Sequence, residues 1–116
     1  MRHHNTNRKF GRKKGVRRAF LRSLSANLIM RGKIQPTEAR AKELRKYVEP
    51  LVTRAKLGGL AAERLLRSRL ATTALVLPKL RELGKKYAER PGGYTRVIKM
   101  ARSRSDGSAM AVIEFV

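Results

Sequence analysis

The sequence predicts an α/β domain of the α+β kind: one helix, one short strand, three helices, then a C-terminal two-stranded hairpin. The helices are expected to pack on a small mixed sheet, with a basic N-terminal arm ahead of them. Three observations carry this. Apolar residues recur at helical spacing in several windows between Val16 and Tyr87, the period switches to alternation after Arg90-Pro91-Gly92-Gly93, and residues 1–15 show neither period.

The arm, residues 1–15, offers one large apolar side chain, Phe10, and so buries too little to order itself without a partner. From Val16 the residues Val16, Phe20, Leu24 and Leu28 share one helical face while Arg18, Arg22 and Ser25 share the other, and Gly32 ends the helix. Lys33-Ile34-Gln35 reads as a brief edge strand because Pro36 pushes its predecessor away from helical angles.

Thr37 is placed to cap a second helix, whose stripe is Ala41, Leu44, Val48, Leu51, Val52 and Ala55, with Glu38 and Lys42 paired four residues apart. Pro50 falls on its polar face without breaking the phase of the stripe, which predicts a kink and not a stop; Gly58-Gly59 is the stop. Residues 60–71 suit a short third helix by propensity. Val76, Leu80, Leu83 and Tyr87 define a fourth, in which Pro78 belongs near the first turn and Gly84 frays the far end.

Past Gly93, Tyr94, Arg96, Ile98 and Met100 alternate with Thr95, Val97, Lys99 and Ala101, as in a strand; Ala109 to Val116 follows an Asp106-Gly107 turn and closes an antiparallel hairpin. The organisation is thus an arm over 1–15 and a single α/β domain over 16–116.

Charge narrows the function. The 116 residues hold 29 Lys and Arg against 8 Asp and Glu, a formal net charge of +21. So dense a charge opposes compaction unless an anion neutralises it, yet 41% hydrophobic residues is too many for a disordered polycation. Residues 1–33 hold eleven of the bases and no acid. The partner this implies is nucleic acid.

Other classes are excluded in turn. With no cysteine there is no disulfide and no thiolate metal site. No apolar run reaches the ~20 residues of a membrane span, and no signal-peptide core follows the charged start, which makes a cytoplasmic protein the expectation. The two histidines, His3 and His4, both lie in the arm, too few for a closed zinc site and remote from any nucleophile. Stacking on RNA is their expected role. Glu38, Glu43, Glu49 and Glu63 read as surface helix acids balancing nearby bases, so neither an enzyme, a cofactor nor a small-molecule substrate is expected. Pro91-Gly92-Gly93 is too short for a nucleotide-binding loop and reads as a helix-to-strand turn needing positive φ.

Two basic clusters remain. The first is Arg8, Lys9, Arg12, Lys13, Lys14, Arg17, Arg18 and Arg22, and the second, on the hairpin and its loop, is Arg96, Lys99, Arg102 and Arg104. Two separated patches imply a large, shaped RNA; charge alone leaves an architectural DNA-binding protein as the alternative.

Met1-Arg2-His3, the Arg-Lys-rich arm, Ala41-Lys42-Glu43-Leu44-Arg45, Val48-Glu49-Pro50-Leu51, Gly92-Gly93-Tyr94-Thr95-Arg96 and Met110-Ala111-Val112-Ile113-Glu114 follow one another in an order that resembles the bacterial large-subunit ribosomal protein seventeen family. The resemblance implies the same order of helices and strands. It further implies a structural, monomeric component of the large ribosomal subunit, bound to large-subunit (23S) ribosomal RNA near the polypeptide exit region and touching the neighbouring ribosomal protein numbered thirty-two. Carried over by position, it points to Arg2, His3, Arg8, Lys9, Arg12, Arg17 and Arg18, and to Tyr94, Arg96 and Lys99, as RNA-facing. With His4, Lys13, Lys14, Arg22, Arg102 and Arg104 from the charge argument, these make up the expected interface.

Overall fold

The computed structural model describes residues 10–70, 73–100 and 107–116. Its elements are α1 (Lys14–Arg31), β1 (Lys33–Ile34), α2 (Glu38–Leu57), α3 (Leu60–Arg69), α4 (Thr73–Lys86), β2 (Thr95–Lys99) and β3 (Ala111–Phe115). The expected order of elements is therefore the observed one. The Asp106 half of the expected hairpin turn lies outside the described residues.

Each helix ends for a local reason. Gly32 takes a left-handed conformation, φ 81°, and its N–H donates to the Leu28 carbonyl at 2.8 Å, closing α1. Thr37 caps α2 by accepting from the Arg40 N–H at 3.4 Å. Helix α2 continues through Pro50, which is exposed, so the Lys46 carbonyl that loses its partner can turn to water.

Pro78 sits in the second turn of α4 and not the first, where it removes one helical hydrogen bond beside the exposed Ala74. Gly84 corrects a second expectation. It does not fray α4 but is buried at the crossing with α2, where a Cβ would lie 3.1 Å from the Ala55 carbonyl carbon and 3.2 Å from its oxygen. Only a glycine lets the two backbones approach so closely.

The sheet is antiparallel throughout and not mixed, with strand order β1-β3-β2. β3 lies between the other two, pairing Ile113 with Ile34 on one side and with Val97 on the other. The chain reverses direction relative to β3 on both sides, so no parallel pair arises. The ladder is prolonged by the Thr37 and Met110 bridge and by Glu38 N–H donating to the Ala109 carbonyl at 2.9 Å.

The core forms where α2 lies between the other helices and the inner sheet face. Leu28, Leu44, Val48, Val52, Leu80 and Ile113 are each 0% exposed. Complete burial of one such side chain is worth roughly 1.5–3 kcal/mol, which is what holds so positive a chain together. The α2 stripe is as expected, but Val16 is 57% exposed, because the first turns of α1 project beyond the core. The projecting end is the base of the arm.

Candidate nucleic-acid interface

At that base, Phe10 meets Phe20 edge to face with ring centroids 5.6 Å apart, and the Arg12 guanidinium lies 4.2 Å from the Phe20 ring centre. Arg40, from α2, reaches the same ring at 5.2 Å. A cation over an aromatic face is held by the ring quadrupole, so Phe20 gathers two guanidiniums that would otherwise repel. Arg12 also donates to the Phe10 carbonyl at 2.9 Å, fastening Phe10 in a left-handed conformation, φ 54°. Arg12 is thus oriented before any partner arrives.

Lys13, Lys14 and Arg18 are exposed and Arg17 half-buried along the first turns of α1, and that turn has no acid. Among the described residues, no cation between positions 10 and 33 is in an ion pair, whereas five carboxylates further along, Glu38, Glu43, Glu49, Glu63 and Glu114, each hold a base. Glu38 holds Lys42 at 2.9 Å and Lys99 at 3.5 Å, Glu114 holds Arg96 at 2.7 Å, and Glu63 holds Arg67 and Arg81. The positive potential is consequently concentrated on α1 and the arm's base.

The hairpin cluster differs. Arg96 and Lys99 are exposed, but each already has a carboxylate, so an arriving phosphate must compete with Glu114 and Glu38. The Glu38 carboxyl is held below its ordinary value, chiefly by its hydrogen bond with Lys42 and in part by the charges of Lys42 and Lys99.

Tyr94 corrects the sequence reading. It is 1% exposed, its ring packed 5.4 Å from that of Tyr87, and its hydroxyl meets Thr53 Oγ1 and Lys56 Nζ, each at 3.2 Å. These contacts, Thr53 first and then Lys56, lower its pKa. A ring so placed cannot stack on a base. The Gly92-Gly93 turn meets its conformational expectation, with Gly93 at φ 62°. Arg2, His3, His4, Arg8, Lys9, Arg102 and Arg104 lie outside the described residues.

Of the four acids expected on the helix surface, one is buried, and a second, Glu49, faces Arg45 as expected but also reaches the strand entry. Glu43 is 6% exposed. The Glu49 carboxylate accepts the Tyr94 N–H at 3.1 Å, the Thr95 N–H at 3.1 Å and the Thr95 hydroxyl at 2.8 Å, fixing the entry to β2.

Sequence reasoning also misses a cavity of about 480 Å³ where α1, α2 and α3 converge, lined by Arg18, Arg22, Tyr47, Leu65, Ser68 and Arg69. The i,i+4 pair of Arg18 and Arg22 was legible on α1. What brings Tyr47 and Arg69 to it is tertiary packing, which leaves no local signal.

Among the described residues, no cluster of His, Asp and Glu could hold a metal ion, and no helix is long and apolar enough to cross a membrane.

The sequence matches known proteins. A family model described as Ribosomal protein L17 matches residues 20–116. A protein named Large ribosomal subunit protein bL17 from Gemmatimonas aurantiaca is 44% identical over 116 residues, spanning 100% of this chain and 98% of that one. Its namesake from Sphingopyxis alaskensis is 48% identical over 116 residues, spanning 100% of this chain and 84% of the relative. That from Erythrobacter litoralis is 46% identical, spanning 100% and 83%. A match over nearly the whole chain at this identity, on a fold with the same elements in the expected order, means that the chain belongs to the Ribosomal protein L17 family, a family of structural ribosomal components and not of enzymes.

Proposed function

We propose that this protein is a brace of the bacterial large ribosomal subunit that holds separated segments of large-subunit ribosomal RNA, through its basic arm and α1 on one side and its hairpin on the other. Its place is in ribosomes of the cytoplasm. The observation that carries the reading is the unpaired basic face of α1, Lys13, Lys14, Arg17 and Arg18, in a chain whose relatives are named as large-subunit proteins. Cations without internal partners release counterions from RNA phosphates on contact and bind with steep salt dependence. Arg12, oriented on Phe20, can meet phosphate in a bidentate fork.

In this reading the basic arm runs along the RNA from a base at Phe10, Arg12 and the first turn of α1 that is already held against Phe20, while the core, folded by its helix stripes, supplies the rigid platform. Arg96 and Lys99, with Arg102 and Arg104 of the adjoining loop, make the second contact by exchanging carboxylate for phosphate. The large-subunit protein numbered thirty-two is the protein neighbour proposed, with one copy of this chain per subunit.

The deciding experiment fractionates a lysate of cells carrying the tagged protein on a sucrose gradient at moderate salt. Co-migration with large subunits that is abolished by ribonuclease and unaffected by deoxyribonuclease is the expected result. Sedimentation with nucleoid DNA, or at the top of an untreated gradient, would sink the proposal.

A further inference from the structure

We infer that the cavity between α1, α2 and α3 is a specific seat for one RNA backbone phosphate, held by Arg18, Arg22 and Arg69, with Tyr47 ordering its wall. This deepens the RNA-binding function proposed above and rests on it.

Three observations converge. Three guanidiniums line the cavity, none of the other lining residues is acidic, and among the described residues none of the three is in an ion pair. Like charges gathered in this way, with no carboxylate between them, are stabilised by a shared anion.

The second observation is an orphan donor. Arg22 Nη2 donates to the Ser68 carbonyl at 2.6 Å, which fixes the guanidinium against the end of α3. Its Nε is buried from solvent and has no hydrogen-bond partner among the described residues. A buried N–H left unpaired is costly, more so on a charged group, and a phosphate oxygen entering the cavity would satisfy it with a charge-assisted bond.

Thirdly, the walls are already ordered. The Tyr47 hydroxyl donates to the Arg69 carbonyl at 2.7 Å, and the Ser68 hydroxyl donates to the Leu65 carbonyl at 2.6 Å. The carbonyls at the end of α3 that would repel an anion are therefore engaged by Arg22, Tyr47 and Ser68. About 480 Å³ leaves room for a phosphodiester with part of its sugar. A nucleic-acid backbone is favoured over a free anion because Arg18 also belongs to the unpaired basic face of α1, so one strand can run from that face into the cavity.

The test compares the full chain with the Arg18→Gln/Arg69→Gln variant in binding a large-subunit rRNA transcript across a salt series. Both side chains are exposed and, among the described residues, make no hydrogen bond or ion pair, so the fold is expected to survive, checked by circular dichroism. A charge-matched control carries Arg64→Gln and Lys79→Gln.

One lost phosphate contact should flatten the slope of log K against log salt by about 0.7–0.9 in the pocket variant and leave the control unchanged. In the unaltered protein, the Arg22 Nε–H resonance should move downfield when an rRNA fragment binds. Equal slopes for pocket variant and control, or an unmoved Arg22 resonance in a complex that does form, would overturn the seat alone. Failure of the unaltered protein to bind the transcript would overturn RNA binding, and the seat with it.

Discussion

Glu49 and Thr95 are joined twice: one carboxylate oxygen accepts both the Thr95 N–H, at 3.1 Å, and its hydroxyl, at 2.8 Å. The second oxygen takes the Tyr94 N–H, so a single acid in mid-α2 holds the start of β2. Glu49→Ala would leave two backbone donors unpaired and is expected to lower stability by about 2–3 kcal/mol in urea denaturation. Glu89→Ala, an equal change of charge at an exposed site, should have almost no effect.

Gly84 sets two effects against each other. Alanine gains ~1 kcal/mol of helix propensity, but its methyl would press on the Ala55 backbone at 3.1 and 3.2 Å, and overpacking costs roughly 1–3 kcal/mol. Because the obstacle is backbone, Gly84→Ala should be net destabilising by up to ~2 kcal/mol. Gly15→Ala, on α1 with open space around it, should raise stability by about 0.5 kcal/mol. Thermal melts of the two variants should move in opposite directions.

Tyr94→Phe removes the hydroxyl that meets Thr53 and Lys56 and should cost about 0.5–1.5 kcal/mol. Because the ring is buried, rRNA affinity at fixed salt should stay unchanged. A selective loss of affinity in a folded variant would return Tyr94 to the interface.

Glu38 makes a pH-dependent contribution. Its folded pKa lies below the ordinary 4.5, so the stabilisation is fully present above that value and is lost as pH falls through the lower, folded one. A carboxyl carbon NMR titration should place its midpoint below 4.5, and Lys99→Met should move the midpoint upward. A midpoint at or above the ordinary value would refute the assignment.

The helices were legible because each buries a stripe whose spacing is written locally, and the caps at Gly32 and Thr37 are local too. The sheet order was not. Pairing Lys33 with Glu114 joins residues remote in sequence, and a two-residue edge strand has too few side chains to declare its partner. Glu49 escaped for a similar reason, since an acid among helical bases reads as a surface counter-charge until the strand it clamps is seen. The interface divides the same way. Basic density on α1 was visible as composition, while Tyr47 and Arg69 join Arg22 only through packing of three helices.

The central position of β3 also has a temporal meaning. While the chain is being synthesised, β1 emerges with no strand to pair with, and roughly eighty further residues must follow before Ile113 can meet Ile34. At ~5–20 residues per second, that leaves a delay of about 4–16 s in which α1 to α4 can collapse on one another while β1 waits. Completion of the sheet is thus a late event of high contact order, arriving after the cationic end of the molecule has long been available to its RNA.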